Sequence, residues 1–160
     1  MSLFRISAAA LLLGFATPAL AGRLPVVLGA TEVFASDALS GVALSGFDPV
    51  AYVIEGQPVP GLAQHEAVFA GLAWRFSSAA NRAAFLRRPE AFLPRAGGYD
   101  ALAAAAGRLV TPDPFLFAIR QGRLYFFRTA ENRRRFLDDE GAAGAAERGW
   151  NRVRARLVQS

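Results

Sequence analysis

Sixteen residues at 71–86, GLAWRFSSAANRAAFL, return 51 positions later at 122–137 as GRLYFFRTAENRRRFL. Seven positions are identical, Gly71/Gly122, Phe76/Phe127, Ala79/Ala130, Asn81/Asn132, Arg82/Arg133, Phe85/Phe136 and Leu86/Leu137, where this composition gives about one or two by chance. Trp74/Tyr125 and Ser78/Thr129 are conservative besides. The chain is therefore built from one supersecondary unit used twice.

Each copy reads as turn, strand, cap and helix. Gly71 and Gly122 suit a tight turn, and Trp74 with Phe76, then Tyr125 with Phe127, alternate as one face of a strand. Ser78 and Thr129 stand where an N-cap hydroxyl accepts an orphan amide hydrogen, with Asn81 and Asn132 three residues on. Phe85 and Phe136 fall seven residues beyond the caps, placed to fold back onto the aromatic strand. Burying a Phe is worth roughly 1.5 to 3 kcal/mol, so these rings carry much of each unit's core. The expected class is α+β, two β-hairpin plus helix units with short antiparallel strands.

The segment before the repeat supplies further elements. Asp48 followed by Pro49 reads as a helix start, with Asp capping and Pro at the first helical position, so that Val50, Ala51 and Tyr52 open a short helix. Residues 55–61 form a turn-rich loop, His65 and Glu66 follow, and Val68 with Phe69 begins the partner strand of the first hairpin. Beyond the first repeat, Gly97 and Gly98 turn the chain into an Ala-rich helix from Asp100 to Ala106, which Gly107 ends. The Asp113–Pro114 turn leads to the second hairpin. Ala146, Trp150, Val153 and Leu157 form an apolar stripe on a C-terminal helix.

The N-terminus has Arg5, an apolar run from Ile6 to Ala16, a breaker at Pro18 and small residues at Ala19 and Ala21. This pattern predicts a secretory signal peptide over 1–21, a periplasmic or secreted location, and no transmembrane segment after cleavage. A lead-in over 22–40 and a single domain over 41–158 make up the remainder. The chain has no cysteine, which excludes disulfides, thiolate nucleophiles and Cys-based metal sites. All 18 basic residues are Arg, so Schiff-base chemistry and the P-loop lysine are excluded as well. The modest positive excess suits an anionic surface more than nucleic acid.

The strings LSGFDPVAY at 44–52, GLAWRFSSAANRAAFLRRPEAFLP at 71–94, GGYDA at 97–101 and DPFLFAIRQGRLYF at 113–126 together resemble the YHS domain, specifically its small exported stand-alone proteins. The resemblance implies a compact α+β fold and, in some members, a heavy-metal site built from cysteines. At the family's cysteine places this chain holds Ser45, Ser77 and Asn81, and Asp100 stands within the GGYCA-like string. Copy two carries Arg128 and Asn132 at the places of Ser77 and Asn81. A soft-metal site is accordingly not expected to be inherited.

What remains for chemistry is sparse. His65 is the single histidine, and Glu66 beside it points to the opposite strand face, so His65 and Asp100 are only weak metal candidates. No cofactor is required by the sequence. Asp48 and Asp100 both fit helix caps as well as ligand contacts, and Tyr52 and Tyr99 offer aromatic walls with hydroxyl handles. The favoured reading is a non-catalytic binding module with candidate ligand residues Asp48, Tyr52, His65, Tyr99 and Asp100, taking a small ligand or a periplasmic protein as partner. The alternatives are an interaction protein using Arg-rich helices on a partner or anionic surface, and an enzyme with His65 as general base oriented by Asp100 or Asp48.

Overall fold

A computed structural model of the chain describes residues 34–37 and 39–159. The expected signal peptide, residues 1–21, and most of the lead-in lie outside the described residues. The order of elements is α1 (Pro49–Ile54), β1 (Leu62–Phe69), β2 (Leu72–Phe76), α2 (Ala79–Arg87), α3 (Ala101–Ala105), β3 (Asp113–Arg120), β4 (Arg123–Phe127), α4 (Ala130–Asp138) and α5 (Ala142–Gln159). This is an α+β fold with two antiparallel two-stranded hairpins, β1–β2 and β3–β4. No described helix is long and apolar enough to cross a membrane.

The repeat is larger in space than in sequence. Leu62 pairs with Phe76 and Glu66 with Arg75, while Asp113 pairs with Phe127 and Phe117 with Phe126, and both hairpins carry a register irregularity between those pairs. The hairpin turns match too. Ala70–Gly71 and Gln121–Gly122 all have positive φ, the type I′ geometry that suits strand twist and favours Gly at the second position. β1 is longer than the sequence suggests, since it begins at Leu62 and contains His65 and Glu66. Likewise Asp113 pairs within β3 and is not a turn residue outside it.

Each helix closes over its own hairpin as the sequence predicts. The Ser78 hydroxyl accepts from Asn81 N at 3.1 Å and the Thr129 hydroxyl from Asn132 N at 3.1 Å. Phe85 then stacks on Trp74 with centroids 5.4 Å apart and lies 5.1 Å from Phe76, as Phe136 lies 4.8 Å from Tyr125 and 5.0 Å from Phe127. A second tie is repeated as well. Arg82 Nε donates to Glu66 O at 2.8 Å, and Arg133 Nε to Phe117 O at 2.6 Å.

The copies are stacked head to tail. Tyr52, on α1 of copy one, meets Phe117 and Phe126 of the second hairpin edge-on at 4.9 and 5.0 Å. Ala104 stands at the corresponding place on α3, and there α5 packs closely instead. Strand β4 is therefore buried on both faces. Tyr125 and Phe127 join α4 and α5, while Leu124 and Phe126 join the core of copy one.

Candidate functional site

Among the described residues, Asp48 and Asp100 are the polar side chains with no exposure at all. Asp48 caps α1: its Oδ1 accepts from Val50 N at 2.8 Å and Ala51 N at 3.4 Å. Its other oxygen accepts from Ser77 N at 2.8 Å, Ser77 Oγ at 2.7 Å and Asn81 Nδ2 at 2.7 Å. Asp100 repeats the device at α3, accepting from Ala103 N at 2.8 Å, Arg128 N at 2.6 Å and Asn132 Nδ2 at 2.8 Å. Each carboxylate thus ties a short helix to the hairpin end and second helix of its own copy. A buried carboxylate surrounded by donors has its charge compensated where it stands.

The other sequence candidates are dispersed. Tyr52 is fully buried, and its hydroxyl donates to Pro114 O at 2.9 Å. Burial, with the nearby Asp113 charge, pushes the Tyr52 hydroxyl well above its ordinary pKa. Tyr99 is half-buried and packs against Trp150 at 5.9 Å. His65 is half-exposed on β1, and neither Asp48 nor Asp100 accepts a hydrogen bond from it. A dyad of His65 with either aspartate is not assembled, and among the described residues no three His, Asp or Glu side chains gather around a common ion position. The Arg-rich stretches are exposed, with Arg148, Arg152 and Arg156 at four-residue spacing along α5.

No protein-family model, curated protein or solved structure matches the chain.

The two motif turns, around Gly46 and Gly97, do come together, through the lead-in. Ala35 N donates to Gly97 O at 2.7 Å, and Leu44 N donates to Ala35 O at 3.3 Å. Both turns are left-handed over three consecutive residues: Leu44, Ser45 and Gly46 at φ 51, 52 and 84°, and Ala96, Gly97 and Gly98 at 50, 62 and 79°. A left-handed residue with a Cβ costs roughly 1–2 kcal/mol. Copy two relieves the middle position with Gly97, while copy one keeps Ser45 there.

Ser45 borders a recess of about 290 Å³ between copy one, the lead-in and the loop before β3. Its rim is polar, from Ser36, Asp37, Ser45 and Thr111, and its apolar walls are Leu44, Pro112, Pro114 and Phe126. The backbone N–H and hydroxyl of Ser40 hold the Asp37 carboxyl below its ordinary pKa, so it is ionised at neutral pH. The rim is thus rich in acceptors and carries negative charge. Sequence reading passed over Asp37, Thr111 and Pro114 because they come from segments distant along the chain. The Asp-x-x-Ser turn at 37–40 and the TPDP string at 111–114 were the available signals.

Proposed function

We propose that this protein is a non-catalytic binding module, a small YHS-like domain acting in the periplasm or outside the cell, that holds a small organic molecule in the Ser45 recess. The observation that carries this reading is the strained serine. Backbone strain persists where something offsets it, and functional sites are a common place for it. Copy two is an internal control, with glycine at the equivalent turn position. The recess lies near the low end of the ~300–1,000 Å³ range of ligand clefts, with apolar walls and an acceptor rim. It suits a compact apolar body bearing hydroxyl or ammonium donors. Nothing in this reading requires a metal, and Asp48 and Asp100 serve it by tying α1 and α3 to their hairpins rather than by touching the ligand.

The test uses Ser45→Gly and Ser45→Ala, titrated with cyclohexanol and benzylamine and followed by amide NMR shifts of Leu44, Ser45 and Thr111. Ser45→Gly is expected to stabilise the fold by about 1 kcal/mol through relief of strain while weakening binding. Ser45→Ala keeps the strain and loses only the hydroxyl. Absence of any saturable shift in the parent protein with either probe would sink the proposal.

A further inference from the structure

A second recess, of about 350 Å³, lies on the left-handed turn of copy two, between the Pro94–Gly97 stretch and α5. Its polar lining differs from that of the first. Arg95, Arg154, Trp150 and Asn151 bring donors to it beside the carboxylates of Glu90 and Glu147, where the Ser45 recess has hydroxyls and the Asp37 carboxylate. We propose that this recess binds a small monocarboxylate, gripped by the guanidinium groups of Arg95 and Arg154, with the Trp150 indole N–H and the Asn151 amide as neutral donors.

Three observations carry the assignment. The first is that Trp150 is 8% exposed and its indole N–H donates to no described residue, whereas the other tryptophan, Trp74, donates to Phe69 O at 2.9 Å. Since no buried side-chain nitrogen or oxygen among the described residues lacks a partner, the Trp150 N–H is open to solvent, on a residue that lines the recess. A buried ring with an unused donor at a recess is an anchor waiting for an acceptor.

The second is that the arginines are under-used. Arg95 Nε approaches Glu147 Oε1 only to 4.0 Å. That same oxygen already accepts from Arg123 Nη1 at 2.8 Å and from the Tyr125 hydroxyl at 2.9 Å. Burial pushes the Glu147 carboxyl up, but the Tyr125 and Arg123 donors and the Arg95 charge outweigh it and hold the group below its ordinary pKa. Glu147 is therefore ionised and already matched by Arg123. Arg154 is exposed and has no ion pair among the described residues. Guanidinium groups favour carboxylates through paired, charge-assisted hydrogen bonds.

The third is the charge balance. Arg95 and Arg123 both face Glu147 and Arg154 has no ion pair among the described residues, so three guanidinium groups against Glu90 and Glu147 leave one unit of positive charge. A monoanion balances that, whereas a dianion overshoots and meets Glu90. Phe34, Leu93 and Pro94 supply apolar wall for the body of the ligand. This site stands independently of the Ser45 recess, since the two share no lining residue.

The experiment follows the two indole N–H signals of the full chain by NMR while benzoate, acetate or phosphate is added at constant ionic strength. Benzoate is expected to move the Trp150 signal saturably and leave that of Trp74 in place. Arg154→Gln and Arg95→Gln should each weaken the effect about fivefold, with partial recovery in Arg154→Lys. The proposal is overturned if the Trp150 signal does not saturate with benzoate up to tens of millimolar. It is equally overturned if the Arg95→Gln/Arg154→Gln double variant responds as the parent does, or if phosphate acts as strongly as benzoate, which marks an adventitious ion only. Overlay of the remaining amide signals of each variant on the parent spectrum establishes that the fold is intact.

Discussion

Asp48→Ala leaves Val50 N, Ser77 N and the Ser77 hydroxyl without their acceptor and takes one of two acceptors from Asn81 Nδ2, whereas Asp100→Ala strands Ala103 N, Arg128 N and Asn132 Nδ2. A buried donor left unmade costs about 1–3 kcal/mol, and partial hydration offsets some of it, so Asp48→Ala should cost about 3 kcal/mol or more. Asp100→Ala should cost less. Urea unfolding midpoints at unchanged slope check the order, and the reverse order would contradict the hydrogen-bond inventory. Tyr52 gives a pH signature. Its folded pKa lies above the unfolded value of about 10, so its contribution is complete below pH 10 and is lost as the unfolded tyrosine ionises at higher pH. Tyr52→Phe should flatten the decline of stability above pH 10. At this scale much was legible: the caps at Ser78, Thr129, Asp48 and Asp100 were readable from local pattern, because a cap depends on neighbours within four residues. The links from Asp48 to Asn81 and from Asp100 to Asn132 were not, because they span more than thirty residues.

Between elements, α5 packs against α3 at close range. A Cβ on Gly149 would lie 2.0 Å from Ala104 O and 2.7 Å from Ala105 Cα. Gly→Ala inside a helix ordinarily gains about 1 kcal/mol, but here the obstructing atoms are backbone and cannot turn aside. The clash should win, so that Gly149→Ala lowers stability by about 1–3 kcal/mol in thermal or urea unfolding. A stabilised variant would show that the helices are free to separate. The stripe Ala146, Trp150 and Val153 was visible as helical periodicity and is buried as expected. Gly149, next to Trp150, carried no such signal, because a missing Cβ shows its purpose only when the neighbouring backbone is in place. The run Leu124–Phe127 did carry one. Four consecutive apolar residues mark a strand buried on both faces, while reading only Tyr125 and Phe127 as inward missed Leu124 and Phe126.

Across the whole molecule, those two residues join the copies together with Tyr52 and Phe117. Phe126 is 1% exposed and lies in the core of copy one, 5.0 Å from Tyr52. Phe126→Ala should cost about 3–5 kcal/mol and weaken amide protection in α1 as much as in the second hairpin. Protection lost from the second hairpin alone would mean two independent units. The sequence by itself determined the repeating unit, its caps, its aromatic faces and the α+β class, because turn, strand and helix preferences act over a few residues. Only the tertiary structure decided the head-to-tail stacking, the covering of α3 by α5, and the two differently lined recesses beside the left-handed turns. Those depend on which surfaces of two similarly folded units meet. The choice is made by side chains in which the copies differ, such as Tyr52 against Ala104 and Ser45 against Gly97.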